Sequence, residues 1–136
     1  SNPGLKATWH EFKGNKCSEI EKAPINGTYP VEDVMIPKKV KGNIGLIIKG
    51  YFNAPQDDIY TFALLSDDGS TLTIDSEQIV DNDGPHGPKE IVGQKALAKG
   101  YHPMELRYFD QNGGQLKLKV TGSDGKEIPF THLYAH

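Results

Sequence analysis

Along most of the chain apolar and polar residues alternate with a period of two. No stretch of about twelve residues places apolar positions at three-and-four spacing, so the pattern predicts strands rather than helices. Candidate strands run over Leu5–Phe12, Ile44–Asn53, Ile59–Leu65, Thr71–Asp75, Gln78–Asp81, Ile91–Leu97, Tyr101–Phe109, Gln115–Thr121 and Ile128–Leu133, joined by links rich in Gly, Asp, Asn and Pro. Tyr60, Phe62 and Leu64 fall on one face of their strand, as do Leu72 and Ile74 beyond Asp67-Asp68-Gly69, and this spacing reads as a half-buried hairpin with the acidic doublet at its tip. Met104, Leu106 and Tyr108 share a face, Leu116, Leu118 and Val120 share another, and the two strands are expected to pair through the Asp110–Gly114 turn. Outward Glu105, Lys117, Lys119 and Thr121 complete a half-buried antiparallel pattern. The expectation is an all-β fold, an antiparallel β-sandwich of barrel-like form with no substantial helix.

The least regular stretch is Lys13–Pro37, where Pro24, Asn26-Gly27, Pro30 and Pro37 interrupt any pattern; it reads as a long connection with a short strand near Val31–Ile36. A chain of 136 residues suits one domain, taken as residues 4–136, with residues 1–3 as a linker or expression remnant. No apolar run reaches the ~18 residues that a membrane-spanning helix needs. The net charge of −3 argues against nucleic acid as a partner, and Lys38, Lys39, Lys41, Lys117 and Lys119 read as solvated strand edges and faces. Cys17 is the single cysteine, which excludes an intrachain disulfide, and no neighbouring motif would activate its thiol.

The chemistry-bearing feature is Asp67-Asp68. Successive strand side chains point to opposite faces, so both carboxylates address one cation only where the backbone turns sharply, through a cis or strained peptide. Hard carboxylate oxygens suit calcium, which takes about six to eight oxygen ligands, so further donors must come from neighbouring loops. Asp110-Gln111-Asn112-Gly113-Gly114 is the best supplier. Asp-Asp-Gly and Asn-Gly-Gly are also ordinary turn sequences that need no ion, and that reading stays open. Asp81–Gly87 alternates acidic and amide residues but has no glutamate at the twelfth position and no flanking helices, so it is expected to hydrogen-bond its own backbone, with Asn82 and His86 as supports. Trp9 is expected in the core and Tyr101 in solvent. No nucleophile elbow is present, and the adjacent aspartates are a poor match to the paired carboxyl groups of a glycosidase, so no catalytic residue is assigned.

Residues 62–82, with the strand into Ser66-Asp67-Asp68-Gly69-Ser70, the Leu72-Thr73-Ile74-Asp75 strand and Val80-Asp81-Asn82, resemble the sugar-binding β-sandwich domain named for the anthrax protective antigen. The likeness continues through Lys99-Gly100-Tyr101-His102, Leu106-Arg107-Tyr108 and Asn112-Gly113-Gly114-Gln115-Leu116, and departs at Ser76, where relatives place glycine. The resemblance implies a cis Asp67-Asp68 peptide holding calcium that accepts sugar hydroxyls, with Asn112 or Asp110 adding a side-chain oxygen. Asp67, Asp68 and Asn112 become candidate glycan ligands, and Asp67, Asp68, Asp110 and Asn112 candidate metal ligands. Trp9–Gly14, Cys17–Pro24 and Asn82–His86 further resemble the carboxy-terminal part of bacterial family 20 glycoside hydrolases, the β-N-acetylhexosaminidases. That implies a non-catalytic, carbohydrate-binding accessory module of an extracellular or periplasmic enzyme, partnered by a glycan and by the catalytic domain. The alternative is a structural domain that orients the catalytic domain without binding sugar.

Overall fold

The computed structural model describes residues 2–136 and is built almost wholly of antiparallel strands. Eleven strands form two sheets: β1 (Leu5–Glu11), β2 (Ile25–Val31), β3 (Ile44–Ala54), β4 (Asp58–Asp67), β5 (Ser70–Ile74), β6 (Glu77–Asn82), β7 (Lys89–Leu97), β8 (Gly100–Asp110), β9 (Gln115–Thr121), β10 (Glu127–Ile128) and β11 (Tyr134–Ala135). The seven-stranded sheet runs β2-β1-β3-β8-β5-β6, with β11 added to β3; the four-stranded sheet runs β10-β9-β4-β7. The expected all-β sandwich is present, and among the described residues its helical content is one 3-10 segment, Cys17–Lys22.

Faces follow the alternation. Tyr60, Phe62 and Leu64 of β4 and Met104, Leu106 and Tyr108 of β8 are buried, as are Leu118 and Val120 of β9, and Phe52 packs edge-on against Tyr60 and Phe62 at 5.3 Å in the centre of the core. Trp9 packs partly buried against this cluster.

Pairing differs from the sequence reading at two places. β4 and β5 do not form a hairpin: β4 pairs with β7 and β9, whereas β5 pairs with β6 and β8 in the other sheet. Likewise β8 pairs with β3 and β5, not with β9. A strand with one apolar face carries the same alternation whether its successor lies beside it or across the core, so periodicity does not separate a hairpin from a crossover. Both acidic segments are therefore corners at which the chain passes between sheets.

Three smaller differences have local causes. The early strand is Ile25–Val31, not Val31–Ile36; it tolerates Pro30 because β2 is an edge strand bonded only to β1, and the register shift opposite Trp9 and His10 absorbs Asn26. The last expected strand is split, since Pro129 ends β10 and a turn with His132 at φ 65° redirects the chain to β11. Asn2 and Pro3, read as linker, pair with the carboxy end: the Asn2 and His136 amides donate to each other's carbonyls at 2.9 Å, and Pro3 bridges Ala135. Ser1 lies outside the described residues.

Candidate functional site

The β4–β5 and β8–β9 corners lie side by side at one pole of the sandwich. Gln115 at the start of β9 pairs with Asp67 at the end of β4, while Ser70 at the start of β5 pairs with Tyr108 near the end of β8. Main-chain bonds stitch the corners together: the Asp68 amide donates to the Phe109 carbonyl at 3.2 Å and the Phe109 amide to the Gly69 carbonyl at 3.0 Å. Gly69 is required by packing, since a Cβ there would lie 2.6 Å from Phe109 Cε1 and 2.7 Å from Gly84 N.

The Asp67-Asp68 peptide is cis. One carboxylate oxygen from each of Asp67, Asp68 and Asp110 lies within 4.8 Å of the others. That separation is about twice a calcium–oxygen bond of ~2.4 Å, so the three oxygens fit around one such ion. Asp110 is buried, while Asp67 and Asp68 are half-buried and open to solvent on one side. Among the described residues none of the three is ion-paired with a Lys, Arg or His side chain.

Their partners are main-chain amides and one hydroxyl. Asp68 accepts from the His86 amide at 3.1 Å and the Gln111 amide at 3.3 Å, and Asp110 from the Asn112 amide at 3.2 Å. The Tyr108 hydroxyl donates to the Asp67 carbonyl at 2.6 Å. Burial pushes the Asp110 carboxyl above its ordinary range, and the Asp68 and Asp67 charges add to the rise against the Asn112 and Gln111 amides. Burial and the same three carboxylates push Tyr108 upward. Concentrated negative charge with no protein cation is the electrostatic condition in which a divalent ion binds.

Of the sequence-assigned residues, Asp67, Asp68 and Asp110 converge. Asn112 adjoins them, its amide on Asp110; it is exposed and lines a neighbouring groove of about 330 Å³ with Asp110, Gly114, Val40 and Lys41. Sequence reasoning missed this wall from the 36–44 segment, which carries no motif, and although Leu106-Arg107-Tyr108 and Asn82–His86 stood out as motifs, it did not see that the Tyr108 hydroxyl and the His86 amide face the acidic corner. The 81–87 loop does bond its own backbone: Asp83 N donates to Asp81 Oδ1 at 3.1 Å, and His86 Nε2 lies 2.8 Å from the Asn82 carbonyl. Cys17 is buried, and burial, with Asp83 adding to the effect, pushes its thiol up and away from reactivity.

Two antiparallel sheets joined by crossover corners, with a carboxylate cluster at one pole, define a β-sandwich domain. Residues 1–130 match the PA14 domain, and the chain belongs to that family. In fold it is similar to the PA14 sugar-binding domain from an RTX adhesin, at TM-score 0.81 and 17% identity over 100% of both chains. It is also similar to the Epithelial Adhesin 9 A domain of Candida glabrata in complex with Galβ1-3GlcNAc, at TM-score 0.70 and 14% identity over 98% of this chain and 89% of that one. A β-glucosidase from Kluyveromyces marxianus in complex with glucose matches at TM-score 0.67 and 17% identity, over 88% of this chain but 16% of the enzyme. No curated protein sequence matches the chain.

Proposed function

We propose that the Asp67, Asp68 and Asp110 corner holds calcium and, through it, a pair of sugar hydroxyls, with Asn112 contacting the sugar from the groove lip. The carrying observation is the convergence of three carboxylates, from two crossovers distant in sequence, with no cationic side chain among the described residues paired to them. A bound divalent ion would supply open coordination positions that exchange water for hydroxyl oxygens. The chain's own part is to fix the carboxylates: Tyr108 anchors the Asp67 carbonyl, and the His86 and Gln111 amides orient Asp68. The adhesin neighbours, one named as sugar-binding and one bound to a disaccharide, support the reading by analogy of fold.

On this reading the chain is a non-catalytic carbohydrate-binding module. Its finer placement is with an exported bacterial glycoside hydrolase of the β-N-acetylhexosaminidase type, and the supports are the resemblances at Trp9–Gly14, Cys17–Pro24 and Asn82–His86 together with the enzyme-attached β-glucosidase neighbour. No helix among the described residues is long and apolar enough to cross a membrane. The alternative, a domain that packs on a catalytic partner without binding sugar, draws on an apolar groove of about 700 Å³ lined by Tyr29, Val31, Met35, Phe130 and Tyr134.

Calorimetric titration of calcium into the chain, followed by glycan-array binding with calcium and with EDTA, tests the proposal. Calcium uptake abolished by Asp68→Asn, together with chelator-sensitive glycan binding, is expected. Absence of calcium uptake, or glycan binding indifferent to both Asp68→Asn and EDTA, would overturn it.

A further inference from the structure

The outward face of the seven-stranded sheet is covered at one end and open at the other. Towards Asp110, Phe12, Cys17 and Ile20 pack over Ile47 and Phe109. Towards the opposite pole, Tyr51 and Tyr101 are 43% and 58% exposed, and their rings meet edge-to-face with centroids 6.4 Å apart. Large aromatic surface left in water on an ordered sheet calls for an explanation.

Register specifies what surrounds it. Tyr51 pairs with Pro103, Lys49 with both Lys6 and Glu105, and Glu105 with Thr73, so these residues form adjacent rows across four strands. They line a depression of about 560 Å³, bounded also by His136. Lys49 Nζ lies 3.5 Å from Glu105 Oε1 along its lining. The seven-position step along β8 from Pro103 to Asp110 amounts to about 23 Å, which separates the depression from the acidic corner.

We propose that this depression is a second carbohydrate site, independent of the corner and of any cation, taking a neutral β-linked oligosaccharide of gluco-configured rings. A pyranose with all substituents equatorial presents C–H patches on both faces, which suit an exposed tyrosine ring, and directs its hydroxyls outward in the ring plane. Those hydroxyls need donors and acceptors beside the aromatic surface. The Lys49–Glu105 pair offers both within one contact, and Thr73 and Lys6 extend the set. The core of a protein–protein interface is depleted in charge, whereas here charged groups flank the aromatic surface directly. Glu105 pairs with Lys49 at 3.5 Å and with Arg107 at 2.9 Å, so the cation beside the aromatic surface is already matched within the protein and offers an anionic sugar little to bind.

The test is titration of the full chain in EDTA with cellotetraose and, separately, chitotetraose, followed by amide chemical shifts. Shifts at Lys49, Gly50, Tyr51 and Glu105 are expected, with the amides of residues 67–68 and 110–114 unmoved. Tyr51→Ala is expected to weaken binding about tenfold, Tyr101→Ala to weaken it in the same direction, and Asp68→Asn to leave it unchanged. No shift with either sugar at millimolar concentration, shifts confined to the corner, or wild-type affinity in both tyrosine variants would overturn the proposal. Because chelator is present throughout, the outcome is separate from that of the calcium reading.

Discussion

The Tyr108 hydroxyl donates to the main-chain carbonyl of Asp67 across 2.6 Å, tying the end of one sheet's central strand to the crossover of the other. Tyr108 is fully buried, so Tyr108→Phe would keep the packing and leave that carbonyl without its partner. A loss of about 1–2 kcal/mol in denaturant unfolding is expected. Weaker calcium uptake should accompany it, because the carbonyl belongs to the residue that carries one of the three carboxylates.

Gly114 lies against the same bond. A Cβ there would overlap the Asp67 carbonyl oxygen and the Tyr108 hydroxyl and crowd Asp110 Cγ at 2.7 Å. These neighbours are backbone and a buried ring, which do not yield easily. Gly114→Ala should lower stability by roughly 1–3 kcal/mol and displace the Asp110 carboxylate from those of Asp67 and Asp68; thermal melts and calcium calorimetry on the variant check both effects.

Asn82 joins the sheets on the other side of the corner. Its Nδ2 lies 3.1 Å from the Leu64 carbonyl, 3.2 Å from Ser66 Oγ and 2.8 Å from the Lys89 carbonyl, all acceptors in or bordering the four-stranded sheet, while Asn82 itself ends β6 of the seven-stranded one. Asn82→Ala should therefore cost about 2–3 kcal/mol, since it strands buried acceptors as well as opening a cavity. Equilibrium urea unfolding measures the loss.

The β5–β6 turn offers the opposite sign. Asp75 and Ser76 adopt φ 53° and 65°, the left-handed pair that a two-residue hairpin needs, and the second position favours glycine. Ser76 is exposed, so Ser76→Gly removes an unfavourable backbone conformation at no packing cost. A gain of about 0.5–1 kcal/mol is expected, read as a higher melting temperature.

Asp33 gives a pH-dependent case. Burial raises its carboxyl pKa, against the opposing 2.7 Å bond from the Val34 amide, so the folded chain holds this proton at higher pH than the unfolded chain does. Between the two pKa values the folded state binds more protons, and stability falls as pH rises through that window. Asp33→Asn, which removes the half-buried charge and keeps an acceptor for Val34, should melt higher than the parent at neutral pH and lose its advantage as pH drops below the unfolded value. Melting curves from pH 3 to 7, a range of about four units around ordinary carboxylate values, show whether the difference closes.

Strand existence and buried faces were legible because each strand of the core has one apolar side: Phe62, Leu64, Leu106 and Tyr108 announce themselves at spacing two. Pairing was not. The step from Leu65 to Thr71 reads as a hairpin in one dimension and proves to be a crossover, since nothing in the alternation says whether Leu72 sits beside Leu64 or faces it. The acidic doublet was visible as a motif, and Asp110 as a loop residue worth attention. Their meeting depended on two crossovers landing at one pole, and the groove wall from Ile36 to Ile44 comes from a segment whose prolines and glycines carry no period.

The twin crossovers also have a mechanical meaning. Asp67 lies at the last pairing of one layer and Asp110 at the last pairing of the other, so anything coordinated by both would rivet the layers at their rim. Pulling the layers apart would then have to break that coordination along with the core contacts. A load applied there would fall on the joint where the chain is doubly fastened, by Tyr108 and by Asn82, and would pass into both layers at once.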